Sequence, residues 1–183
     1  GLGMEGTERV AGIVEMRIHR VSAALVRELE GMGFRGLSRE QVMQMGIHGV
    51  DAAYVGALRE LGLRPTADQA VELRIHGVTP EYVRQMRAAG FGDLSADALS
   101  QMRIHQVTPE FIRSLADAGY RGLDRDQLMQ MGIHGVTPEF IREVRAAGFS
   151  DLSPEALVQM RIHGIGADYG QAPRAHARAR ARG

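Results

Sequence analysis

An Ile-His pair recurs six times down this 183-residue chain, at Ile18-His19, Ile47-His48, Ile75-His76, Ile104-His105, Ile133-His134 and Ile162-His163. The intervals between histidines are 29, 28, 29, 29 and 29 residues. A period of that size marks a tandem array, whose units bury their apolar faces against neighbours instead of in one globular core.

The stretch from Val78 to Gln106 carries the local signals of one unit. Thr79-Pro80-Glu81 starts a helix: the hydroxyl can accept a first-turn amide, Pro needs no donor there, and Glu suits the positive helix end. Val78 and Val83 can staple that turn, and Tyr82, Val83, Met86 and Ala89 fall on one stripe before Gly90 closes the helix. After a short loop a second helix opens at Ser95, directs Leu99, Met102 and Ile104 toward a core, and stops near His105.

We call the two helices of a unit A and B. The A caps are Ser22, Asp51, Thr79, Thr108 and Thr137; the B caps are Ser38, Thr66, Ser95, Asp124 and Ser153. Gly follows the histidine at 49, 77, 135 and 164, as suits a helix C-terminus. The 28-residue interval comes from a loop, Gly62 to Thr66, one residue shorter than its counterpart from Gly90 to Ser95.

Each helix is too short to be stable alone in water, so stacking has to supply the stability. The pattern therefore predicts an all-α tandem-repeat α-solenoid, right-handed, of about five helix pairs with partial units at both ends. The array covers residues 7–169, with units near 20–48, 49–76, 77–105, 106–134 and 135–163. Residues 1–6 read as unstructured or as a processing or cloning remnant, and residues 170–183 as an unstructured Arg/Ala-rich tail.

All 22 basic residues are Arg and balance 22 acids. Four of them (174, 178, 180, 182) lie in an acid-free tail, so the remaining 18 leave the body at −4. That balance argues against nucleic acid as the partner, because phosphate binding needs clustered positive charge. Without Cys there are no disulfides or thiolate metal sites, and no apolar stretch reaches the ~18 residues of a membrane span, which predicts a soluble chain of undetermined compartment.

The histidine ladder of His19, His48, His76, His105, His134 and His163 invites a metal reading. Equivalent positions on packed helices lie roughly 10 Å apart, however, too far to share one ion. The expectation is no metal and no cofactor, with imidazoles capping helix-B carbonyls or bonding the adjacent unit; a pH-responsive stack is the alternative. Six residues after each His stands Leu25, Tyr54, Tyr82, Phe111, Phe140 or Tyr169, a ladder expected to form the spine of the stack.

Arg84, Arg113 and Arg142, with Arg27 as an earlier member, occupy one position on successive A helices. They either grip an acidic partner or face solvent, balanced by Glu81, Glu110 and Glu139 three residues earlier. A second row, Arg17, Arg74, Arg103 and Arg161, precedes the histidines and is broken by Gly46 and Gly132. Met45, Met102, Met131 and Met160 share one inward position and read as core in preference to an adaptable groove.

The repeated Arg-Ile-His-Gly-Val-Thr-Pro-Glu-Phe/Tyr phrase resembles short helical repeats at the ends of some bacterial membrane-embedded zinc peptidases of the antirepressor type, and in other bacterial proteins. The likeness runs from about Met16 to Tyr169 and implies an accessory array. The His-Glu-x-x-His motif of the peptidase is absent, so no catalytic residue carries over. Recurring Ser, Thr and Asp are accounted for as caps, and no nucleophile elbow or phosphate loop is present. The expected role is a non-enzymatic scaffold for a protein partner. Self-assembly into head-to-tail oligomers or filaments is the alternative, and a regulatory segment of a larger bacterial sensor a second one.

Overall fold

Nine of the ten expected caps are formed, and they set the helix boundaries. In each, a side-chain oxygen accepts the amide three residues on: Ser38 from Gln41, Asp51 from Tyr54, Thr66 from Gln69, Thr79 from Tyr82, Ser95 from Ala98, Thr108 from Phe111, Asp124 from Gln127, Thr137 from Phe140 and Ser153 from Ala156. The computed structural model describes residues 23–166. The cap Ser22, the first B-like stretch at 7–19 with Arg17 and His19, the start of a further A helix at Tyr169, and the Arg/Ala tail lie outside the described residues.

The described residues hold ten α-helices and no strand. These are α1 (Ala23–Gly31), α2 (Arg39–His48), α3 (Ala52–Glu60), α4 (Ala67–Ile75), α5 (Pro80–Ala88), α6 (Ala96–Ile104), α7 (Pro109–Asp117), α8 (Arg125–Ile133), α9 (Pro138–Ala146) and α10 (Pro154–Ile162). Odd-numbered helices are A, even-numbered B. They form two compact units that divide between Ile104 and His105.

In the first unit the B helices pack in sequence, α2 on α4 and α4 on α6, and the A helices do likewise, α1 on α3 and α3 on α5. The core lies between these rows, where Val42 and Met45, Ala70 and Leu73, and Leu99 and Met102 of the B helices are buried with Tyr54, Val55 and Leu58, and Tyr82, Val83 and Met86, of the A helices. In the second unit α8 packs on α10, and Leu128, Met131, Leu157 and Val158 are buried together with Leu115, Phe140, Ile141 and Val144.

B helices end in a shared closure. The residue after the glycine returns its amide to the carbonyl five residues back, Val50 to Met45, Val78 to Leu73, Val136 to Met131 and Ile165 to Met160, each at 2.8 Å. The closing residue is left-handed, a conformation that costs a side chain with a Cβ and none to Gly. Gly77 adopts it with φ 68°, and Gln106, a non-glycine residue at the equivalent site, adopts it with φ 58°.

Three expectations about facing are corrected. Ile104, read as a core residue, is 42% exposed. Positions two apart on a helix are turned about 200° from each other, so a buried Met102 forces Ile104 outward. Ala89 falls past the last turn of α5, at its C-cap, and is exposed. Met160, expected to share the inward site of Met45, Met102 and Met131, is half-buried on α10.

Candidate interaction surface

Ile104 is one of five repeat-equivalent isoleucines. Ile47, Ile75, Ile104, Ile133 and Ile162, the isoleucine of every described Ile-His pair, are 42–54% exposed, and apart from Phe149 they are the exposed large hydrophobic residues of the described chain. Each closes a stripe at i, i+4 and i+7 along its B helix: Glu40, Gln44, Ile47 on α2; Asp68, Glu72, Ile75 on α4; Asp97, Gln101, Ile104 on α6; Asp126, Gln130, Ile133 on α8; Glu155, Gln159, Ile162 on α10. That spacing holds one helical face, so every B helix presents an acid at its start, an amide or acid midway and an aliphatic side chain at its end.

Within each unit, bonds at both ends of the B helices tie a stripe to its neighbour, α2 to α4 and α4 to α6 in the first and α8 to α10 in the second. At the N-terminal end the third helical residue of a capping box is Gln. Its Oε1 accepts the cap amide, from Ser38 at 3.1 Å, Thr66 at 3.0 Å and Asp124 at 3.2 Å. Its Nε2 then donates to the acid of the next B helix: Gln41 to Asp68 at 3.0 Å, Gln69 to Asp97 at 2.9 Å and Gln127 to Glu155 at 2.8 Å. One carboxamide thereby finishes its own helix start and ties it to its neighbour's. The bond from Gln127, with its own backbone amide and the Ser153 hydroxyl, holds the Glu155 carboxyl below the usual carboxylate range.

At the C-terminal end the Arg before the histidine does the tying. Arg74 Nε donates to the Gly49 carbonyl at 3.1 Å, Arg103 Nε to Gly77 at 3.3 Å and Arg161 Nε to His134 at 3.3 Å. The same guanidinium groups lie over the rings of Tyr54, Tyr82 and Phe140, at 4.3, 5.2 and 4.9 Å from the centroids. A carbonyl one or two residues past the end of one B helix is therefore met by the arginine of the next repeat. The described imidazoles, His48, His76, His105, His134 and His163, form no hydrogen bond within the described residues, so the expected imidazole cap is not made there. Gly132 interrupts the Arg row because a Cβ there would stand 2.5 Å from the His105 carbonyl oxygen.

Between neighbouring B helices the described residues form two matching clefts. One, of about 460 Å³, is lined by Ser38, Glu40, Gln41, Gln44, Asp68 and Val71. The other, of about 340 Å³, is lined by Asp124, Asp126, Gln127, Gln130, Pro154, Glu155, Val158 and Gln159. Six lining positions of the first have their repeat equivalents in the second, so the cleft is a product of the repeat.

Of the residues read from the sequence as partner-binding, Arg84 pairs with Glu81 at 2.9 Å, Arg113 with Glu110 at 3.3 Å and Arg142 with Glu139 at 2.7 Å, all on exposed turns; Arg27 is exposed on α1. The aromatic ladder places Tyr54, Tyr82 and Phe140 in the core and Phe111 half-buried. Burial pushes the Tyr54 and Tyr82 hydroxyls up to about 12, against the opposing pull of Arg74 and Arg103. The Tyr54 hydroxyl donates to the Val78 carbonyl at 2.7 Å.

Among the described residues no group of three or more His, Asp or Glu is placed to hold a metal ion, and no helix is long and apolar enough to cross a membrane. Reading Ile104 by hydrophobicity alone missed the exposed row. The signal was available in the two-residue offset from Met102 and the seven-residue offset from Asp97. No protein-family model matches the chain, and no curated protein or solved structure matches it either.

Proposed function

We propose that the chain is a non-enzymatic scaffold, an α-solenoid of stacked helix pairs whose B-helix face binds a protein partner. The observation that carries this reading is the exposed isoleucine row, one side chain per repeat at the same position. A single exposed Ile is ordinary on any protein, whereas recurrence on packed neighbours, Ile47, Ile75 and Ile104 in the first unit and Ile133 and Ile162 in the second, makes a patterned apolar surface on each, the kind that marks an interaction site. The sequence packing of α2, α4 and α6 supports the stacked arrangement.

The Arg84, Arg113 and Arg142 row is the weaker candidate, since each charge is met by a glutamate one turn away. A non-enzymatic role is supported by the engagement of the recurring hydroxyls and cap aspartates in helix starts. Two triple variants decide between the faces. Ile75→Ser/Ile104→Ser/Ile133→Ser should lose partner capture while keeping its helical circular dichroism. Arg84→Glu/Arg113→Glu/Arg142→Glu should keep capture; the reverse pattern would return the site to the A helices.

A further inference from the structure

The chemistry of the B face of the first unit narrows what can lie on it. We propose that its occupant is an extended segment of a partner protein in which Arg or Lys alternates with an aliphatic residue, laid across α2, α4 and α6. The inference rests on the reading of that face as the recognition surface and names the partner's chemistry.

Charge complementarity comes first. The ties at both ends of α2, α4 and α6 set equivalent positions side by side, so the three stripes line up as bands across the helices. One band is Glu40, Asp68 and Asp97, the middle one Gln44, Glu72 and Gln101, the last Ile47, Ile75 and Ile104. These nine positions hold four acids and no base, while Arg74 and Arg103 are taken up by the Gly49 and Gly77 carbonyls and the rings of Tyr54 and Tyr82. The Glu40 and Glu72 carboxylates form no hydrogen bond or ion pair within the described residues. The bonds that Asp68 and Asp97 accept come from neutral carboxamides, which leave the charge in place. Basic side chains therefore complement one edge of the face and aliphatic ones the other.

The middle band decides between a helix and an extended chain. Gln44 and Gln101 are exposed, and their carboxamides form no hydrogen bond within the described residues. A carboxamide offers a donor and an acceptor together, which matches the N–H and C=O of one residue in an extended backbone; an α-helix has already paired both internally. The dimensions agree. From Asp68 to Ile75 is about 10 Å at 1.5 Å per residue, so a backbone centred on the amide band sends one set of side chains to the acids and the alternate set to the isoleucines. That placement turns the N–H and C=O of every second residue onto the carboxamides. With packed helices roughly 9 Å apart, three of them take about six residues of strand.

The test is a fluorescent peptide of four Arg-Val pairs, titrated with the full chain at low salt and followed by anisotropy. Its Kd should rise about fivefold with Glu40→Gln/Glu72→Gln and about as much with Gln44→Ala/Gln101→Ala, circular dichroism staying unchanged because neither pair carries a tie between helices. Glu28→Gln/Glu60→Gln, removing the same charge from exposed positions on α1 and α3, should leave the Kd in place. The same residues ordered Arg-Val-Val-Arg-Arg-Val-Val-Arg, with the spacing of an amphipathic helix, should bind more weakly. A Kd indifferent to Glu40→Gln/Glu72→Gln, a rise shared by Glu28→Gln/Glu60→Gln, or tighter binding of the helical order would overturn the proposal. Should the alternating peptide fail to bind while the isoleucine variant still loses partner capture, the extended basic partner fails and the recognition face stands.

Discussion

Gln106 and Gly132 show from opposite sides what a Cβ costs in this repeat. Gln106 holds a left-handed conformation where its counterparts at 49, 77, 135 and 164 are Gly, and the Cβ makes that conformation cost about 1–2 kcal/mol. Gln106→Gly should therefore stabilise the chain by about 1 kcal/mol, less what Gly gains in unfolded-chain entropy, and raise the melting temperature in thermal denaturation. Gly132 is the opposite case. A methyl group there meets the His105 carbonyl at 2.5 Å and Val107 Cγ2 at 3.2 Å, so Gly132→Ala should destabilise by about 1–3 kcal/mol, read as a lower denaturant midpoint. Its repeat equivalents at 74, 103 and 161 bear Arg while that at 46 is Gly, so placing Arg at 132 would harm the fold.

At the scale of the element, the B helix is a nine- or ten-residue rod held at both ends by its neighbour. Arg103 joins the Gly77 carbonyl and the Tyr82 ring, so Arg103→Ala should cost about 1–2 kcal/mol through one lost hydrogen bond and one cation–π contact. Arg103→Lys should recover only part of it, since an ammonium cannot stack as a planar guanidinium does; equilibrium urea unfolding of both variants measures the difference. Helix boundaries were legible in the sequence because Ser, Thr and Asp caps act within three residues of themselves. What Arg74, Arg103 and Arg161 do was not, because their carbonyl partners lie 25 to 27 residues away and only packing brings them close. Nor was the second bond of Gln41, Gln69 and Gln127: a capping box is visible in a sequence, but the acid on the next B helix is not. The outward turn of Ile104 could have been read from helical phase, and hydrophobicity pointed the other way.

For the whole molecule, alkaline pH reports the integrity of the core. The Tyr54 and Tyr82 hydroxyls are raised to about 12, chiefly by burial, while an unfolded chain ionises its tyrosines near 10. The raised value means the folded state holds these protons more tightly. The stability they contribute is intact below pH ~10 and is lost as pH rises through 12. In a Tyr120→Phe/Tyr169→Phe chain, where only Tyr54 and Tyr82 absorb, tyrosinate absorbance and helical circular dichroism should thus change together above pH 10; two tyrosines ionising near 12 with the helices intact would separate titration from unfolding.

The claim on which the rest depends is that the B-helix face, not the A-helix face, meets the partner. A photo-crosslinking residue placed singly at 75, 104 and 133, and in parallel at 84, 113 and 142, tests it in cells of the source organism. The account predicts discrete adducts of one common mass from the isoleucine positions and none from the arginine positions. Adducts confined to 84, 113 and 142 would contradict it and make the paired arginines the binding surface.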